Sequence, residues 1–94
     1  MPVSDLTVTV EADGDEDAIE IPAGLLDRLM EEGETRADVV GSITLMALTG
    51  RAHALLHHTE DTSGEELEDI EAVMQDRFED RFGMTYAEAT GHSH

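Results

Sequence analysis

The stretch "LTVTVEADGDEDAIEI", Leu6 to Ile21, decides the class of the fold. Leu6, Val8 and Val10 alternate with Thr7, Thr9 and Glu11, the two-residue period of a strand that buries one face. Asp13-Gly14 suits the two positive-φ positions of a type I′ turn. With that pair as the loop, Val8 stands opposite Ile19 and Leu6 opposite Ile21. Opposed residues share a face, so this register puts all four on the core side and turns Thr7, Thr9, Ala18 and Glu20 outward. A β-hairpin over about 5–21 is predicted, which makes the chain α+β.

Downstream of the hairpin the period changes to that of helices. Pro22 suits a helix start, Leu25, Leu26, Leu29 and Met30 form a short apolar stripe, and Gly33 is a natural stop. A first helix of about 22–32 is expected. Thr35-Arg36-Ala37-Asp38 resembles a capping box with Asp in the place of Glu, and opens a long helix of about 36–58. Ser63-Gly64-Glu65-Glu66 is a second box, before a helix of about 64–82. Leu67, Ile70, Met74, Phe78 and Phe82 line one stripe of that third helix, and Gly83 ends it. Thr85-Tyr86-Ala87-Glu88 starts a last short turn before the tail, within 85–94. No internal repeat or linker divides the chain, so 1–94 reads as a single domain.

The second helix is apolar on nearly every side. Val39, Val40, Ile43, Leu45, Met46 and Leu48 point around the whole axis, a pattern that calls for burial all round. At about 1.5 Å per residue the helix spans roughly 35 Å, the width of a small domain. One subunit has little left with which to cover it. A homodimer is therefore expected, with Val39, Ile43, Met46, Leu48 and Gly50 at the seam.

Charge bounds the setting. Asp and Glu number 23 against five Arg and no Lys, a formal net charge of −18 on 94 residues. At roughly 1 M salt the Debye length shrinks to about 3 Å, which screens such self-repulsion. An acidic surface of this kind keeps a protein dissolved in salt, at a cost in stability when the salt is withdrawn. A halophilic source is expected. The charge-free run "VVGSITLMALTG" is shorter than the roughly 20 residues of a membrane span. The start "MPVSDLTVTV" also lacks the basic residues and long apolar run of a signal peptide. These features point to a cytoplasmic protein with no membrane partner. There is no cysteine, which excludes disulfides and thiolate sites.

Five histidines fall in two places, three in "RAHALLHHTED" and two in the final "HSH". His53 and His57 are four apart on the second helix and project from one side of it, a spacing that suits chelation of zinc or another divalent transition metal. Glu60 and Asp61 lie one turn further on, and His92 and His94 are alternative ligands from the tail. The same projection also places His57 beside Val39, Ile43 and Met46, as a histidine at a core edge. "HALLH" lacks the glutamate that serves metalloproteases as general base. "DGDED" lacks the spaced ligands of a calcium loop, and no nucleotide-binding glycine loop is present. No pair of acids stands out for acid–base work. The chain is not expected to be an enzyme.

The segment "AIEIPAGLLDRLMEEGETRADVVGSITLMAL", residues 18–48, resembles the ribbon-helix-helix regulators. Ile21-Pro22, Leu25-Leu26 and Thr35-Arg36-Ala37 stand where that family has its strand end, its leucine pair and the start of its second helix. The resemblance implies strands paired between two chains and outward strand side chains reading DNA. The outward residues Glu16 and Glu20 are ones that phosphates repel, so nucleic acid is not an expected partner. The stretches "GETRADVVG", "LTGRAHALLHH" and "RFGMTYAEATGHSH" also resemble small acidic proteins of haloarchaea. That resemblance implies an archaeal source and no particular activity. The expectation is a non-enzymatic dimeric interaction or regulatory module with a protein partner. Transition-metal binding comes second and DNA regulation third.

Overall fold

In the computed structural model, which describes residues 3–58 and 64–91, two strands precede four helices. Strand β1 is Asp5–Ala12 and β2 is Asp15–Pro22. Helices α1, α2, α3 and α4 are Ala23–Leu29, Arg36–His58, Gly64–Phe82 and Tyr86–Thr90. The architecture is α+β, with the hairpin first and the helices after it. Contacts cluster in two compact units, Met1–Val40 and Gly41–His94.

The first unit is built on the hairpin. β1 and β2 pair antiparallel, with Leu6 opposite Ile21 and Val8 opposite Ile19, the register that the turn pair and the alternation require. Asp13 and Gly14 both take positive φ, 54° and 85°, as a type I′ turn demands. Leu6, Val8 and Ile21 are half-buried, and Thr7, Thr9, Ala18 and Glu20 are exposed. Ile19 departs from the expected core face and is largely exposed, as is Val10. The burial gained by the hairpin lies at the end away from its turn. There the Ala23 N–H donates to the Ser4 carbonyl, tying the start of α1 to the start of β1.

Helix α1 buries Leu26 and ends earlier than the expected 22–32. Met30 already has extended backbone, with its N–H donating to the Leu26 carbonyl. The next residues form a turn of their own. The Glu31 N–H donates to the Glu34 carboxylate, and the Glu34 N–H donates to the Glu31 carbonyl. Gly33 supplies the positive φ of that turn, so it ends the turn and not the helix. A bidentate ion pair then ties α1 to the first residue of α2. The Arg36 Nε donates to Asp27 Oδ1 at 2.8 Å and its terminal nitrogen to Oδ2 at 3.0 Å.

Helix α2 opens with the capping box read from sequence. The Thr35 N–H donates to Asp38 Oδ2, and the Asp38 N–H donates to Thr35 Oγ1. Val39 is buried in its first turn. In the second unit α2 and α3 run antiparallel, because Ser42 meets Arg81 while His53 meets Glu71. The small core there holds Thr49, Ala52 and Phe78. Buried Thr49 satisfies its hydroxyl by donating to the Leu45 carbonyl one turn back. Phe78 packs against Phe82 at 4.4 Å between ring centroids and meets Tyr86 edge-on at 5.3 Å. The Gly83 N–H closes α3 on the Glu79 carbonyl, with φ of 73°. Thr85 and Glu88 make the full capping box that starts α4.

The inward face of α3 is not quite the expected stripe. Leu67, Met74, Phe78 and Phe82 are at least half-buried, but Ile70 is 45% exposed. Glu71 turns inward in its place. Leu67, Glu71, Met74 and Phe78 follow the 3–4 spacing of one face, and Ile70 lies about 60° from Leu67 on the edge of it.

Candidate functional site

Helix α2 carries both candidate constellations, the apolar seam and the histidine pair. Two glycines mark opposite sides of it. A Cβ at Gly41 would sit 2.8 Å from an Arg81 guanidinium nitrogen, and a Cβ at Gly50 would sit 2.8 Å from the Tyr86 hydroxyl oxygen. Nine residues apart, Gly41 and Gly50 lie about 180° apart around the helix. Arg81 of α3 therefore marks one flank of α2, and Tyr86 of α4 marks the other.

The expected seam divides between these flanks. Ile43 and Met46 lie within about 40° of Gly50, whereas Leu48 and Leu55 lie within about 40° of Gly41. All four are between 42% and 54% exposed. Val39 is buried within the chain, and Gly50 is half-buried with Tyr86 beside it. Of the five seam residues expected from sequence, then, Ile43 and Met46 share an exposed flank, and Leu48 faces the other way. Ala47 and Ala54, also exposed, adjoin Ile43.

Of the candidate metal ligands, His53 is the one whose side chain is described. Its Nδ1 lies 3.1 Å from Glu71 Oε2, a contact that is an ion pair when the ring is protonated and a hydrogen bond otherwise. The Tyr86 ring stands 6.2 Å away, centroid to centroid. Glu71 is the partner that sequence reasoning missed. It lies 18 residues further along the chain, and no local spacing links the two. His57 falls on α2, with its side chain outside the described part. Glu60, Asp61, His92 and His94 lie outside the described residues. Among the described residues no three histidines or carboxylates gather around one point that would hold an ion.

Over Arg36–Leu56, α2 is long and apolar enough to cross a bilayer by length and composition. The charge-free run of twelve understated it, because Arg51 interrupts an apolar helix without ending it. The core helix of a globular protein meets the same measure. Here α2 is engaged by Arg81 on one flank, by Tyr86 on the opposite flank and by Glu71 through His53.

The outward strand residues Glu16 and Glu20 are exposed, and β2 is hydrogen-bonded along one edge to β1 of its own chain. The match to known proteins covers the whole length. A family model described as a family of unknown function (DUF7545) matches residues 1–94, and the chain belongs to that family. No curated protein and no solved structure matches it.

Proposed function

We propose that this member of a family of unknown function is a non-enzymatic association module of a halophilic archaeon. It works as a homodimer in a salt-rich cytoplasm. The observation that carries the reading is the exposure of Ile43 and Met46, beside exposed Ala47 and Ala54, on the Gly50 flank of α2. Two half-exposed large apolar side chains within one helical turn are costly to leave in water. Small neighbours let a second helix approach closely. Two copies of this flank related by a twofold axis cover each other, as an isologous interface requires. The net charge of −18 supports the salt setting.

The test uses chromatographic size in 2 M salt. Ile43→Glu puts a charge into the proposed seam and is expected to give monomers, while Leu48→Glu on the opposite flank leaves the dimer intact. Dissociation by Leu48→Glu alone, with Ile43→Glu unaffected, sinks this seam.

Transition-metal binding is the second reading, and the His53–Glu71 contact favours it. An imidazole with one nitrogen on a carboxylate is oriented to ligate through the other. Calorimetric titration with zinc tests it. Heat that persists after His53→Ala and His57→Ala assigns binding elsewhere.

A further inference from the structure

We propose that the outer edge of β1 is a strand-addition site for an extended segment of another protein in which apolar and basic residues alternate. The hydrogen bond from the Ala23 N–H to the Ser4 carbonyl fixes which backbone groups face outward. Ser4 and Ala23 stand one step beyond the Asp5–Pro22 pair, so they form a hydrogen-bonded pair of the ladder. Such pairs alternate along antiparallel strands. Leu6, Val8 and Val10 therefore bond to β2, whereas Asp5, Thr7, Thr9 and Glu11 turn their N–H and C=O groups outward. All four are exposed, and among the described residues none hydrogen-bonds to those groups. The outer edge of β2 is blunted. Its outward residues are Glu16, Ala18, Glu20 and Pro22. The Ala18 N–H donates to Asp17 Oδ1 at 3.0 Å, and Pro22 has no N–H. Charge and proline are means by which sheets guard an edge. The middle of the β1 edge carries only the two threonines.

A third strand also supplies what the hairpin lacks. A two-stranded hairpin is marginal in water without a further strand or a helix packed on its face. Val10 and Ile19, toward the turn, are each 46% exposed on the face that holds Leu6 and Val8. Residues of an added strand that share this face lie beside Val8 and Val10 and cover them. Its acids, Asp15 and Asp17, lie on β2, away from the β1 edge. The intervening residues of the added strand fall on the opposite face. There Asp5 and Glu11 stand on β1, with Glu16 and Glu20 behind them on β2. Every charged residue from Asp5 to Pro22 is an acid, while α1, α2 and α3 each carry arginine. The complement is a strand that is apolar on one face and basic on the other, held by main-chain hydrogen bonds. A second copy fits poorly, because β1 against β1 sets one all-acidic hairpin beside another. The inference rests on the hairpin alone and is independent of pairing through α2.

The probe is a fluorescein-labelled nine-residue peptide of alternating valine and arginine. It is titrated with the full chain by fluorescence anisotropy, at the lowest salt that keeps native circular dichroism. The control peptide carries glutamate for arginine. Saturable binding of the arginine peptide, at least tenfold tighter than of the control, is expected. Amide hydrogen exchange followed by nuclear magnetic resonance then locates it. The Thr7 and Thr9 amides are expected to exchange fast in the free chain and at least tenfold more slowly with peptide bound, with Glu16 and Glu20 unmoved. Thr9→Pro removes one outward N–H without touching the ladder and is expected to weaken binding at least tenfold. Glu11→Arg keeps every backbone group and is expected to narrow the preference for arginine, which tests the edge even where Thr9→Pro fails to fold. Absence of saturable binding, equal binding of the two peptides, or binding without protection of Thr7 and Thr9 overturns the proposal. So does protection of those two amides in the free chain, which assigns the edge to a second copy.

Discussion

Gly50 and the Tyr86 hydroxyl fit together because one residue lacks what the other would strike. A Cβ at position 50 meets the hydroxyl oxygen at 2.8 Å, while the next ring atom lies at 3.7 Å, ordinary contact. The Tyr86 ring has little freedom to withdraw, since it stands edge-on to buried Phe78. Gly50→Ala in the wild-type chain is therefore expected to lower the melting temperature, although alanine favours a helix interior by about 1 kcal/mol over glycine. Against Tyr86→Phe, which removes the clashing oxygen, the same change is expected to stabilise by about 1 kcal/mol. Thermal melts of the four chains check this, and a Gly50→Ala effect of the same sign in both backgrounds contradicts it. Charge acts at single residues too. The Arg36 guanidinium, chiefly by its hydrogen bonds, holds the Asp27 carboxyl below the usual aspartate range. A carboxyl lowered in the folded state adds stability that is complete above its unfolded pKa. That stability is lost as pH falls through the lower, folded value. Nuclear magnetic resonance titration is expected to show Asp27 titrating below ordinary aspartate, and returning toward it in Arg36→Gln. An Asp27 midpoint indifferent to Arg36→Gln rejects this pairing.

Elements were legible wherever two local signals agreed. The hairpin had its turn pair and its alternation, and register and turn followed. The start of α2 had Thr35 and Asp38, and α4 had Thr85 and Glu88, each closed by its own hydrogen bonds. A signal standing alone held at Gly83, which closes α3, and misled at Gly33 and Ile70. Gly33 looked like the stop of α1, but the turn of Glu31 and Glu34 comes between them. The third-helix stripe admitted Ile70 by spacing, yet the face that packs takes Glu71 because His53 waits across from it. No sequence spacing contains that fact. The division of α2 into flanks was hidden for a different reason. A helix apolar all round has no preferred side until its neighbours are known, and Arg81 and Tyr86 supply them. The hairpin also carries a conflict visible at element scale. Glu11 stands directly opposite Glu16 in the register. Opposed like charges destabilise a strand pair, so Glu16→Arg is expected to stabilise the hairpin by roughly 0.2–1 kcal/mol in dilute buffer. The gain is expected to shrink at 2 M salt, where exposed charges are screened. Denaturant titrations at the two salts check both statements, and a gain independent of salt argues against a charge origin.

The whole molecule joins a strongly acidic chain to an apolar helix that the described residues do not fully cover. The proposed salt-rich setting accommodates both features. Screening removes the self-repulsion of a −18 chain, and salt strengthens the drive to bury α2. Circular dichroism is expected to show helix lost or loosened below roughly 0.2 M salt and regained near 2 M. Equal helicity and equal melting temperature at the two salts contradict the salt dependence. Pairing through α2 is the central claim, and the mass of the intact wild-type chain in solution tests it most directly. Multi-angle light scattering in 2 M salt is expected to give twice the 10.2 kDa of one chain. A mass of 10.2 kDa across the accessible concentration range would contradict the account.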